Sequence, residues 1–248
     1  MRQGFFCTLA AMAMGLAVAA AHAAAPPLPP TPPPVPPLAP PLAQAQTQTP
    51  AQAPALAPLA TQSSSAEIDG FRSAHFGMDE ASVRAAIASD FHLSGRSVHA
   101  GVNPVQRTAV LSIRVPDLVP GGGTAQIDYV FGYRSHALIE VNILWSTATD
   151  PRMTPARLVA NGSALSAYFA RQGFPPRKTV QNALLPDGNV LLFRTRDDAG
   201  HAVVLMLSGK RAPAATGKGE TLTPKALALV YAVNPAQPDV FELRKGSF

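Results

Sequence analysis

His75, His92 and His99, with Asp90 among them, are the residues of this chain whose types suit metal binding or general acid–base work. Their spacing matches neither HExxH nor an i, i+4 helical pair, so they read as surface histidines and no metal site is assigned. Serine, histidine and aspartate are all present, yet no GxSxG elbow places a serine on a strand-to-helix turn. Ser208-Gly209 comes nearest, but Met206 stands where the first glycine would, and a basic turn follows. ATGKGETLTP, residues 215–224, approaches a phosphate loop and fails it at Ala212, where the pattern requires glycine. It is expected to be a mobile hairpin insert. Gly121-Gly122-Gly123 has no helix after it to offer its amides to an anion, and reads as a flexible loop. Asp197-Asp198 lies on a turn, and no carboxylate pair for glycoside cleavage stands out. No catalytic residue and no cofactor is assigned.

The chemistry that remains is recognition. Arg114, Gln126, Asp128, Glu140 and Asn142 alternate with apolar residues and would share the hydrated face of a sheet. Arg194 and Arg196 occupy a comparable strand later in the chain. Arg171, Arg177 and Lys178 follow the second helical segment, where cations complement the helix dipole, and Lys210-Arg211 sits beside a hairpin. Convergence of several of these cations on one face would suit an anionic envelope polymer.

Those side chains need elements to hold them. Asp79 can cap a helix over 79–91, where Val83, Ala86, Ile87 and Phe91 form an apolar stripe. Gly77 permits the sharp entry from FRSAH, and Met78 can staple the first turn. LSIRV, AQIDYVF and ALIEVNILW alternate with period two, predicting an antiparallel sheet with one wet and one dry face. LSGRSVHA, 93–100, is a candidate edge strand. Thr154-Pro155 opens a second helix, which Gly173 and Pro175-Pro176 end. NVLLFRT, HAVVLMLSG and ALALVYAV then read as three more strands. The order helix–strand–strand–strand thus occurs twice, with Arg114 and Arg194 in matching places. The fold class expected is α+β: two similar lobes, about 66–150 and 151–248, each a helix packed on an antiparallel β-meander.

The first 25 residues have the form of a secretory signal peptide: Arg2, an apolar run and the small-x-small Ala21-His22-Ala23. An uncleaved membrane anchor is the alternative. Cys7, the single cysteine, leaves with that segment, so a processed chain has no disulfide, thiolate nucleophile or cysteine-ligated metal. Residues 26–65 hold 14 of the 26 prolines and no charge, and read as a disordered Pro/Ala/Gln-rich stalk. Residues 66–248 carry every charge except Arg2. The net charge of +5 is mild and lacks the clustered basic face of a nucleic-acid binder. The Ala-rich leader and the preference for Arg over Lys have a bacterial character.

The FGM-D-E-x-x-V-x-x-x-I pattern of residues 76–87 resembles the opening of small bacterial envelope domains. These include the small lipoprotein of the outer-membrane barrel-assembly machinery and the β-lactamase-inhibitor-like fold. The resemblance implies a capped helix before an antiparallel sheet, and work by binding proteins. This chain departs from it in lacking a lipidated cysteine and the Gly-x-Pro that closes the helix, and in carrying the stalk. No functional residue is carried over. Together these features point to an exported, periplasmic or secreted, non-catalytic binding or scaffolding protein of the cell envelope. Its expected partner is an envelope protein or an anionic polymer. A stalk protein tethered by an uncleaved N-terminus and a hydrolase of an envelope component are the alternatives.

Overall fold

The computed structural model describes residues 66–213, 220–243 and 246. The segments expected to be a signal peptide, 1–25, and a stalk, 26–65, lie outside the described residues, as does the 214–219 part of the expected hairpin insert.

A two-strand ribbon, β1 (Gly70–Phe71) and β2 (Ala74–His75), leads into helix α1 (Glu80–Phe91). Asp79 caps this helix by accepting a 2.8 Å bond from the Ser82 amide. Glu80 pairs with Arg84 one turn on at 2.8 Å. The abrupt joint before it has a structural purpose. Gly77 takes φ +87°, a conformation open to glycine. Its amide donates to Leu138 O at 2.9 Å, and the Leu138 amide returns a 2.7 Å bond to Met78 O. The joint therefore pins the helix start to the sheet.

Strands β3 (His99–Val102), β4 (Ala109–Val115), β5 (Ala125–Phe131) and β6 (Leu138–Ser146) follow. Helix α2 (Pro155–Ala170) begins with Thr154 as cap and proline at its first position, then β7 (Val180–Leu184), β8 (Val190–Arg196), β9 (Ala202–Pro213) and β10 (Glu220–Ala232) complete the fold. Residues 220–224, read as part of a mobile insert, extend β10 and pair with 209–213 of β9. The proposed edge strand at 93–100 begins later: 95–97 form a 3₁₀ turn and β3 starts at His99.

The eight strands β3 to β10 form one antiparallel sheet in the order β3-β4-β5-β6-β10-β9-β8-β7. Each run of four is a meander, and the runs join along β6 and β10 from Ala226↔Ser146 to Ala232↔Glu140. One apolar core spans the whole sheet, combining Val83 and Ile87 of α1, Leu158 and Phe169 of α2, and alternate residues such as Ile127, Ile143, Leu229 and Leu205. Burial of this shared face is the main stabilising term. The fold is thus α+β, an eight-stranded antiparallel sheet with two helices. Among the described residues no helix is long and apolar enough to cross a membrane.

The Gly121–Gly123 loop, read as flexible, is held against α2. Asn161, nearly fully buried, donates a 2.9 Å bond to Gly122 O. A Cβ on Gly122 would lie 2.7 Å from both Asn161 Oδ1 and Val119 O, so the close approach requires glycine there.

Candidate functional site

The side chains that alternate with the core residues form the second face of the sheet, which carries neither helix. One row crosses all eight strands: His99, Ser112, Asp128, Asn142, Val230, Val204, Arg194 and Val180. A second runs Arg114, Gln126, Leu144, Ala228, Met206 and Leu191. A third contains Val110, Val130, Glu140, Ala232, Ala202 and Arg196. The wet face expected for β4–β6 is thus polar there, and polar side chains return on β8 with Arg194 and Arg196. Over β9 and β10 it is built of alanine, valine and methionine, because those strands are apolar on both sides.

The register brings five of the seven expected site residues into one patch. Asp128, 5% exposed, accepts a 2.5 Å bond from Ser112 Oγ and bonds of 3.0 and 3.1 Å from Gln126 Nε2. Glu140 accepts a 2.7 Å bond from Asn142 Nδ2. Arg114 is exposed, stands opposite Gln126, and donates to Ala148 O at 3.4 Å. Arg194 and Arg196 lie on the same face but beyond β10 and β9, so they stand apart from that patch. The result is one end that carries the two carboxylates together with Arg114, an apolar centre, and an end that carries Arg194 and Arg196.

Among the described residues neither Asp128 nor Glu140 has a cation within ion-pair distance. Burial pushes the Asp128 carboxyl above its ordinary range, against the bonds from Ser112 and Gln126. Burial pushes Glu140 upward too, against the bond from Asn142. A carboxyl that holds its proton more tightly when folded makes stability fall as pH rises above its unfolded value of about 4. The double variant Asp128→Asn/Glu140→Gln keeps the shapes without the charges. It is expected to be more stable than the parent chain at about pH 7–8, with the gap closing toward pH 4. Urea unfolding across that pH range checks the sign.

The other chemical candidates are committed elsewhere. Asp90 accepts from Ser73 Oγ at 2.6 Å and from its amide at 3.0 Å, and His75 pairs with Asp69 at 2.8 Å. Among the described residues no group of three or more His, Cys, Asp or Glu could hold a metal ion. Lys178 bonds Asp197 O and the Asp198 carboxylate, and Arg211 pairs with Glu220 at 2.7 Å. One acid read from the sequence only as a turn residue is buried and structural. Asp197, 4% exposed, accepts from the Ile68 amide, the His201 amide and His201 Nδ1 at 3.1, 2.9 and 3.1 Å. A turn aspartate four residues before histidine was the available signal, but its partner Ile68 is 129 residues away.

Comparison with family models, with curated proteins and with solved structures finds no match.

Proposed function

We propose that this chain is an exported, non-catalytic binding or scaffolding protein of the bacterial cell envelope that presents the helix-free sheet face to a protein partner. The observation that carries this reading is the face itself: an apolar centre at Leu144, Ala228, Val204 and Met206, with Asp128, Glu140 and Arg114 on one side and Arg194 and Arg196 on the other. An apolar centre inside a polar rim is the anatomy of a protein interface. An anionic polymer would meet Asp128 and Glu140 on its way across, so a protein fits better than a polyanion. The leader-like first 25 residues and the uncharged proline-rich segment support export and a spacer role.

The same reading treats the domain as a tandem repeat, with lobes of about 66–150 and 151–248. Support comes from the element order, a helix then four strands, occurring twice, and from Arg114 and Arg194 lying on strands second from opposite edges of the sheet. The resemblance of residues 76–87 to envelope binding domains agrees with this.

The test is site-specific photo-crosslinking in intact cells. A photoreactive residue at Met206, half-buried on this face, is expected to give a discrete adduct, and one at the exposed Val159 of α2 is not. Arg194→Glu should weaken the Met206 adduct at least tenfold with unchanged circular dichroism. Equal adducts from both positions, or none from Met206, would overturn the reading.

A further inference from the structure

The helix-free face is laid out in two halves about the β6–β10 seam. Counted outward from that seam, β5 and β9 come second on their sides, and β4 and β8 third. One row of the register runs through Ser112, Asp128 and Asn142 on the first side and Val230, Val204 and Arg194 on the second. Among the described residues neither Asp128 nor Arg194 has an ion-pair partner. Within one chain they cannot meet, since four strand spacings, about 19 Å, separate β5 from β8.

An apolar centre with opposite charges on its two flanks can be completed by a copy of itself. A two-fold axis along the seam does this. It sets β6 of one copy over β10 of the other, β5 over β9 and β4 over β8, and every row keeps its level. Leu144 then meets Ala228, a large side chain on a small one at the centre, as interdigitating sheet layers require. Gln126 meets Met206 and Ser112 meets Arg194. Arg194 lies one strand spacing, about 4.8 Å, to the side of Asp128 of the second copy. Arg114, the cation on the carboxylate flank, turns away from that row to donate to Ala148 O at 3.4 Å. A two-fold axis across the strands would instead lay carboxylate on carboxylate and arginine on arginine.

The row of Val130, Ala232 and Ala202 is already buried, so the contact falls on the rows of Asn142 and Leu144, with half-buried Ser208 and Ala226 extending it. Six strands wide and about 20 Å along them, this area is roughly 600 Å² per copy. That is the low end for specific pairs and suits a reversible association.

We infer that this face is a self-complementary interface, and that two copies of the chain associate through it, sheet on sheet, about a two-fold axis along the β6–β10 seam, with Arg194 of each set against the Ser112–Asp128 pair of the other. The inference rests on the reading of the helix-free face as a protein interface, and it names the partner.

The test is sedimentation velocity of the exported chain purified from cells, over about 1–100 µM. A monomer–dimer equilibrium with a Kd of about 10 µM is expected. Arg194→Glu and Ser112→Lys should each weaken it at least tenfold, the second because it faces Arg194 of the other copy. An equimolar mixture of the two variants should associate within about threefold of the parent chain, since one contact is then parental and the other joins the two introduced charges. A purely structural role for either residue would not produce that rescue. Ala228→Lys puts an unpaired charge at the centre, should abolish association, and serves where Ser112→Lys does not fold. A parent chain monomeric at 100 µM, association undiminished by Arg194→Glu, or a mixture of folded variants that stays monomeric would each overturn the inference. The Met206 photo-adduct separates it from the broader reading. An adduct of twice the chain's mass supports both, whereas an adduct with a different protein, from a chain that sediments as a monomer, keeps the interface and overturns the second copy.

Discussion

Trp145→Ala is expected to lower the unfolding free energy by about 3–5 kcal/mol, the range for truncating a large buried aromatic. Trp145 is fully buried, stands opposite Leu227 across the β6–β10 seam, and belongs to the core shared by both helices. Domains of this kind have roughly 5–15 kcal/mol in all, so the variant would be near the threshold of folding at 37 °C. Trp145→Phe separates packing from polarity. It loses part of the ring area, but it also removes an indole N–H that has no acceptor. These terms oppose, and a net cost of about 1 kcal/mol is expected. Urea unfolding followed by far-ultraviolet circular dichroism measures both, since neither variant retains tryptophan emission. A cost for the phenylalanine variant close to that for alanine would show that the N–H is satisfied after all.

Asp197→Ala is expected to cost about 3–4 kcal/mol. The carboxylate is buried and accepts from two backbone amides and one imidazole, and its loss leaves those donors without acceptors. Its bond to Ile68 ties the entry segment to the β8–β9 turn, so the damage has a place as well as a size. Limited proteolysis should cut the variant within residues 66–75 well before the sheet is attacked, whereas the parent chain resists there. Asp197→Asn keeps one acceptor oxygen and should cost about half as much. Uniform proteolysis of the alanine variant would show that Asp197 acts on the whole sheet and has no special hold on its entrance.

How much of this was legible beforehand depended on whether the signal was local. The Asp79 cap, the Gly77 corner and the Thr154-Pro155 start each act within a few residues, and each appears where expected. Strands β4, β5 and β6 could be read because one side of each is polar. Strand β7, VQNAL, could not: as an edge strand its exposed residues carry little apolar period. Strands β9 and β10 were found as strands, but no wet face was read for them, since Val204, Met206, Ala228 and Val230 break the alternation that would mark one. The seam that places Trp145 opposite Leu227 spans 82 positions and leaves no mark in either segment alone. The face residues were identified as sharing a side, since parity within a strand fixes that. The distance of Arg194 and Arg196 from the Asp128 patch follows from strand order, which no local pattern encodes.

Strand lengths taper outward from the seam. β10 and β9 have 13 and 12 residues, whereas the outermost β3 and β7 have 4 and 5. An unpaired edge is a template on which a stranger's backbone can condense, and its danger grows with the number of free amides and carbonyls it displays. By putting its stubs at the margins, the sheet displays few free amides and carbonyls along its outer edges; more are left along the arm of 209–213 and 220–224, which among the described strands pair only with each other. An insertion that lengthened β3 or β7 would therefore leave the core intact and still give other chains a template on which to polymerise.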